Sequence, residues 1–138
     1  MPFEVRDRVR WGDVDGARII YFGAYVRLIE LAETEFYREI GFPWQEIFER
    51  FDVWLPRVHL DIDFRAPARF DDPLQLLTWV RAVGTSSVRF EVVVRRPTDE
   101  TLLARAKVVT VCVDRRTERS RPLPEAVATV LRRNVEAA

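Results

Sequence analysis

Part-way along this chain the spacing of apolar residues changes from helical to strand-like, and that switch leaves few folds open. Across Gly23–Ile40, the residues Tyr25, Leu28, Ile29, Ala32, Phe36 and Ile40 recur at three- and four-residue steps, the spacing of one helix face. Arg27, Glu30, Glu33, Glu35, Arg38 and Glu39 fall mostly off that stripe. Gly41 follows where a left-handed cap is favoured, and Pro43 bars continuation. Trp44–Phe51 reads as a second, short helix. From Val53 onward the period is two. Val58, Leu60, Ile62 and Phe64 alternate with His59, Asp61, Asp63 and Arg65. Leu74–Val83, Val88–Arg95 and Leu102–Val113 are further strands, rich in β-branched residues. The joints between them are Asp71-Asp72-Pro73, Gly84-Thr85-Ser86 and Pro97-Thr98-Asp99, all turn chemistry.

Ahead of the helix, Phe3–Trp11 predicts a strand with Phe3, Val5, Val9 and Trp11 on one side. Asp7 falls on that same side and breaks the pattern. Pro124 opens a short C-terminal helix ending near Arg133. The order is therefore β, long α, four β, short α. Short links between the late strands make them antiparallel neighbours. The helix stripe and one sheet face must bury each other, so the expectation is α+β: a curved antiparallel five-stranded sheet wrapped around one long central helix, in a single domain over 1–138. Leu77, Trp79, Val83 and Val93 are expected on the other sheet face, where an apolar surface suggests a subunit contact and a homo-oligomer, dimer or tetramer.

Composition narrows the function. Basic and acidic residues both number 22, so no global positive field draws in nucleic acid. No apolar run is long enough to span a bilayer, and no secretory signal is visible, so a cytoplasmic protein with no membrane partner is expected. The single cysteine, Cys112, and single histidine, His59, cannot form a His/Cys metal cluster, and no metal or organic cofactor is implied. His59 reads as a surface histidine, and Cys112 as a small buried hydrophobe.

The chemistry concentrates in Gly12-Asp13-Val14-Asp15-Gly16, a turn carrying two carboxylates just before the long helix. Free N–H groups at a helix start can polarise a carbonyl and stabilise an oxyanion. A carboxylate opposite them can serve as base or as nucleophile. On local pattern alone such a turn is more often structural, with Asp bonding its own backbone or capping a helix.

Trp11-Gly12-Asp13-Val14-Asp15 followed by Ile19-Ile20-Tyr21-Phe22-Gly23-Ala24-Tyr25 resembles the signature of the 4-hydroxybenzoyl-CoA thioesterase family of hotdog proteins, which includes acyl-CoA thioesterases associated with the Tol-Pal gene cluster. Phe64–Leu74, Gly84–Glu91 and Pro122-Leu123-Pro124 are similar to that family's later segments, so the likeness runs nearly the whole length. It implies a hotdog fold and hydrolysis of an acyl-CoA to a carboxylic acid and free CoA. It also implies that Asp15 is the catalytic carboxylate, base or nucleophile, and that the Phe22 backbone N–H polarises the thioester. Asp13 is then structural. Tyr25, Arg18 and Glu30 fall at substrate-binding positions, and Arg81, Ser87 and Arg89 flank turns where relatives hold the nucleotide, as do Arg65 and Arg69. Two departures bear on substrate choice. Arg18 stands where glycine is common, and either narrows the site or pairs with Asp15 or a substrate group. Phe22 stands where His or Tyr is frequent. The alternatives are a thioesterase acting on an acyl carrier protein and a non-catalytic acyl-ligand binding protein. A hotdog dehydratase lacks its expected histidine motif here.

Overall fold

The computed structural model describes residues 1–136. Its elements are β1 (Phe3–Arg8), α1 (Ala24–Glu39), α2 (Trp44–Phe51), β2 (Val53–Trp54), β3 (Arg57–Phe64), β4 (Pro73–Val83), β5 (Ser87–Arg96), β6 (Thr101–Val111), β7 (Val113–Asp114) and α3 (Glu125–Arg133). Five strands form one antiparallel sheet in the order β1-β4-β5-β6-β3, and β2 with β7 forms a small second ladder. This is the hotdog architecture, with α1 laid along one face of the sheet. No helix among the described residues is long and apolar enough to cross a membrane.

The helix stripe and the inner sheet face meet as their periodicities require. Tyr25, Leu28, Ile29, Ala32 and Phe36 are buried against Leu76, Val80, Phe90, Val92 and Val108. Each large apolar side chain so enclosed contributes roughly 1.5–3 kcal/mol relative to exposure. Phe36 sits at the centre of an aromatic cluster, edge-on to Phe90 at 5.6 Å and to Tyr37 at 5.8 Å.

Five details differ from the sequence expectation. β3 is not a neighbour of β4, the strand that follows it; the longer link between them carries the chain across the sheet, and β3 pairs with β6 at the far edge. The first strand stops at Arg8; Trp11–Asp13 turns as a single 3-10 helical step, which leaves Trp11 exposed and edge-on to Phe70 at 5.3 Å. The last long strand is broken at Cys112, whose N–H donates to the Ser86 carbonyl at 2.7 Å, so β7 leaves the sheet to pair with β2. An irregularity between Val80 and Ala82 shifts the alternation by one, and Val83 therefore returns to the core side. Finally, Glu33 is buried rather than off the stripe, held by Arg57 of β3 at 3.0 Å.

The outer sheet face is also less apolar than expected. Leu77 and Trp79 are half-buried there, but the buried Glu91 accepts from Arg81 at 2.9 Å and Arg105 at 2.6 Å. The Arg81 guanidinium also covers the Trp79 ring at 4.8 Å.

The larger exposed apolar surface lies elsewhere, along the β3 edge. Val58, Leu60 and Phe64 are exposed on that strand, as are Phe22 and Val26 at the start of α1. Among the described residues β3 pairs only with β6, so its other backbone edge is unpaired.

Candidate active site

The turn after β1 is fixed by its first carboxylate. Asp13 is almost fully buried. Its Oδ1 accepts from Arg27 Nε at 3.0 Å, and its Oδ2 accepts from Arg27 Nη2 at 2.5 Å and from the Arg10 N–H at 2.8 Å. The remaining guanidinium nitrogen, Arg27 Nη1, donates to Asp7 at 2.8 Å. Burial alone would raise the Asp13 pKa, but the hydrogen bonds and positive charge of Arg27 and the Arg10 N–H outweigh it and hold the carboxyl below its ordinary value. The same bonds push Arg27 upward, against its own desolvation. The inward Asp7 that broke the β1 pattern is thus explained: it faces a cation arriving from the helix.

The second carboxylate has a different setting. Asp15 is exposed in the single subunit, and its Oδ1 accepts the Ala17 N–H at 2.9 Å. Its own N–H donates to the Ile19 carbonyl at 3.1 Å, and a bridge joins Val14 to Ile20, closing a tight loop. Arg18, inside that loop, has a left-handed φ of 64°, which is a physical reason for glycine at such a position. Among the described residues no ion pair joins Arg18 to Asp15.

The loop returns directly to the helix start. The Tyr21 N–H donates to the Asp13 carbonyl at 3.1 Å, and the Ile20 N–H to the Ala68 carbonyl at 2.8 Å. Phe22 comes next, exposed, two residues ahead of α1. Among the described residues the N–H groups of Phe22 and Gly23 have no protein acceptor, as expected for the first donors of a helix. A Cβ on Gly23 would stand 2.8 Å from the ring of Tyr21, an exposed side chain that would have to swing aside.

Beside this helix start lies an open groove of about 350 Å³, lined by Ile19, Ile20, Phe22 and Tyr25 on one side and by Phe64 and the segment Arg65-Ala66-Pro67 on the other. Tyr25 packs edge-on against Phe64 at 5.3 Å. Burial pushes its phenol up to about 12, so it stays neutral at ordinary pH. Asp15 stands outside the wall, but its N–H holds the carbonyl of Ile19, which is part of it. The arrangement offers two unsatisfied amides, an apolar trough and a nearby exposed carboxylate.

The remaining sequence candidates do not gather here in one subunit. Glu30 is exposed on α1, eight residues beyond Phe22, about 12 Å along the helix axis. Ser87 and Arg89 open β5, beside the Gly84–Ser87 turn, whereas the Asp15 loop adjoins the Pro73 end of β4. The length of β4 separates those ends by about 30 Å. Arg89 is exposed, while Arg81 is engaged by Glu91 and by the Glu136 carbonyl at 2.6 Å. Arg27 went unread in the sequence, because on a helix it looked like one more charge off the apolar stripe. Its signal was the misplaced Asp7.

The family model for the thioesterase-like superfamily matches residues 9–131. The chain belongs to that superfamily. It is 33% identical over 121 residues to the acyl-CoA thioester hydrolase YbgC of Escherichia coli O6:H1, covering 87% of this chain and 88% of the relative. It is 30% identical over 118 residues to the 1,4-dihydroxy-2-naphthoyl-CoA hydrolase of Synechococcus elongatus, covering 85% of each. The solved Slr0204, a 1,4-dihydroxy-2-naphthoyl-CoA thioesterase from Synechocystis, superposes with a TM-score of 0.88 at 27% identity, covering 95% of this chain and 96% of that one. Superfamily membership thus gives the groove at the helix start its context.

Proposed function

We propose that this thioester hydrolase cleaves an acyl-CoA to a carboxylic acid and free CoA, with Asp15 as its catalytic carboxylate and the Phe22 N–H as its oxyanion donor. The observation that carries the reading is the groove lined by Phe22, whose N–H has no acceptor among the described residues, next to the loop that presents Asp15. The thioester carbonyl oxygen accepts from Phe22 N–H, which draws electron density off the carbonyl carbon. As a base, Asp15 takes a proton from water as its oxygen bonds to that carbon. As a nucleophile, Asp15 bonds to the carbon itself, and water then cleaves the resulting anhydride. In either route the C–S bond breaks and CoA leaves as a thiolate, which needs no strong acid.

A second copy of the chain covers the open flank. Phe22, Val26, Leu60 and Phe64 are too large an exposed apolar set for an isolated subunit, and β3 offers an unpaired edge beside them. The groove lies on that flank, so subunit pairing would wall it. Ser87 and Arg89 reach CoA phosphates only from a neighbouring subunit in this arrangement, because in their own subunit they stand at the far end of the sheet. Dimer or tetramer both satisfy this need. Named activities of the relatives on acyl-CoA and naphthoyl-CoA esters support the CoA thioester class.

The test is a panel of matched acyl groups on CoA and on acyl carrier protein, read by free thiol release. Turnover on CoA esters at rates at or above those on the carrier is the expected outcome. Turnover on carrier esters alone would move the substrate class, and binding without thiol release would remove the hydrolysis.

A further inference from the structure

We infer that Arg27 is a positioning residue for hydrolysis, the tie that aims the Asp15 loop at the helix start. This rests on the assignment of Asp15 and Phe22 above. A single guanidinium connects three elements. Arg27 belongs to α1, the helix that Phe22 and Gly23 lead into. It makes two bonds to Asp13, at 3.0 and 2.5 Å, and one to Asp7 of β1 at 2.8 Å. Asp13 in turn grips both ends of the reactive loop. Asp15 follows it by two residues, and Phe22 follows Tyr21, whose N–H donates to the Asp13 carbonyl.

The separation between carboxylate and amide is therefore set through Asp13, and Arg27 registers Asp13 against the helix. A planar fork with fixed donor directions suits this task, where a lysine would supply charge without the paired geometry. Arg27 also neutralises two acidic neighbours, Asp13 and Asp7; Arg10 is the second cation beside them, 3.8 Å from Asp7. Among the described residues the Asp15 carboxylate itself makes only the local bond to Ala17, which does not fix its aim toward the helix start. Misplacement of a reacting group by about 1 Å costs on the order of 100-fold in rate.

The experiment is a double-mutant cycle on the full chain: wild type, Arg27→Met, Asp15→Asn and the pair, with kcat and KM measured on one acyl-CoA by thiol release. Arg27→Met takes the guanidinium from the buried Asp13 and can fail to fold, so Arg27→Met/Asp7→Asn/Asp13→Asn, uncharged at all three positions, is measured beside it. Arg27→Lys serves as the conservative variant. In the Asp15 background, Arg27→Met and the uncharged triple variant are expected to lower kcat about 100-fold with KM changed less than about threefold. Arg27→Lys should recover part of that loss. In the Asp15→Asn background the Arg27 effect should shrink to less than about threefold, because no carboxylate remains to be aimed. Equal losses in both backgrounds, or wild-type kcat in the folded triple variant, would overturn the positioning role and leave Asp15 standing. Wild-type kcat in Asp15→Asn would overturn the site assignment, and this inference with it.

Discussion

The two flanks of α1 are built to different ends. Toward β1, the protomer closes itself: Phe36 packs against Phe3 with ring centroids 6.1 Å apart, and Arg27 reaches across to Asp7 and the buried Asp13. Toward β3, it stays open: Phe22 is 76% exposed, Val26 50% and Phe64 52%. The closed flank carries stability and the open flank carries the groove. The turn after β1 spans both, which gives two carboxylates two residues apart opposite fates. Asp13 is consumed by structure, and Asp15 is left exposed.

This contrast can be broken most sharply at the free carboxylate. Asp15→Asn is expected to lower kcat by about 1,000-fold, within the range for losing a catalytic base, while the thermal midpoint stays at the wild-type value. The next effect belongs to the open flank. Phe64→Glu places a charge in the face assigned to the second copy. It should shift the protein to monomer in sedimentation and lower kcat/KM about 100-fold, since the groove loses a wall. A monomeric variant with full activity would show that one subunit suffices.

The closed flank should answer to pH and to stability as well as to turnover. The folded Asp13 pKa lies below its ordinary 3.8, because Arg27 and Arg10 favour the charged form more than burial opposes it. A depressed folded pKa makes the stabilisation complete above that ordinary value, and it is lost as pH falls through the folded one. Chemical denaturation should therefore show wild type losing stability below about pH 4 more steeply than Asp13→Ala. At neutral pH, Asp13→Ala should cost about 3 kcal/mol, the scale for breaking a buried ion pair.

Much of this division was legible in the sequence, for physical reasons. The α1 stripe and the strand alternation follow from burial of one face each, so the periods alone gave the layering. The short joints gave the antiparallel order β4-β5-β6, but not the place of β3, which pairs with β6 at the far edge rather than with β4. Trp44–Phe51 was recovered whole, since Pro43 sets its start. What escaped reading depended on long-range pairing. Val83 changes face because of an irregularity after Val80, and no local pattern marks it. Glu33 is buried because Arg57, 24 residues away, comes to meet it. Trp11 leaves the strand because Asp13 takes the Arg10 N–H and turns the chain. The site divided in the same way. Asp15 and Phe22 lie on one contiguous stretch that the family resemblance covers, whereas Arg27 matters only through a fold that joins it to Asp7 and Asp13.

The most direct measurement is a crystal structure of Asp15→Asn with an intact acyl-CoA bound. The thioester carbonyl oxygen should lie about 2.7–3.1 Å from the Phe22 nitrogen, with the substituted side chain at position 15 on the opposite side of the carbonyl carbon. A thioester seated away from Phe22, with the side chain at position 15 still turned to solvent, would contradict this mechanism.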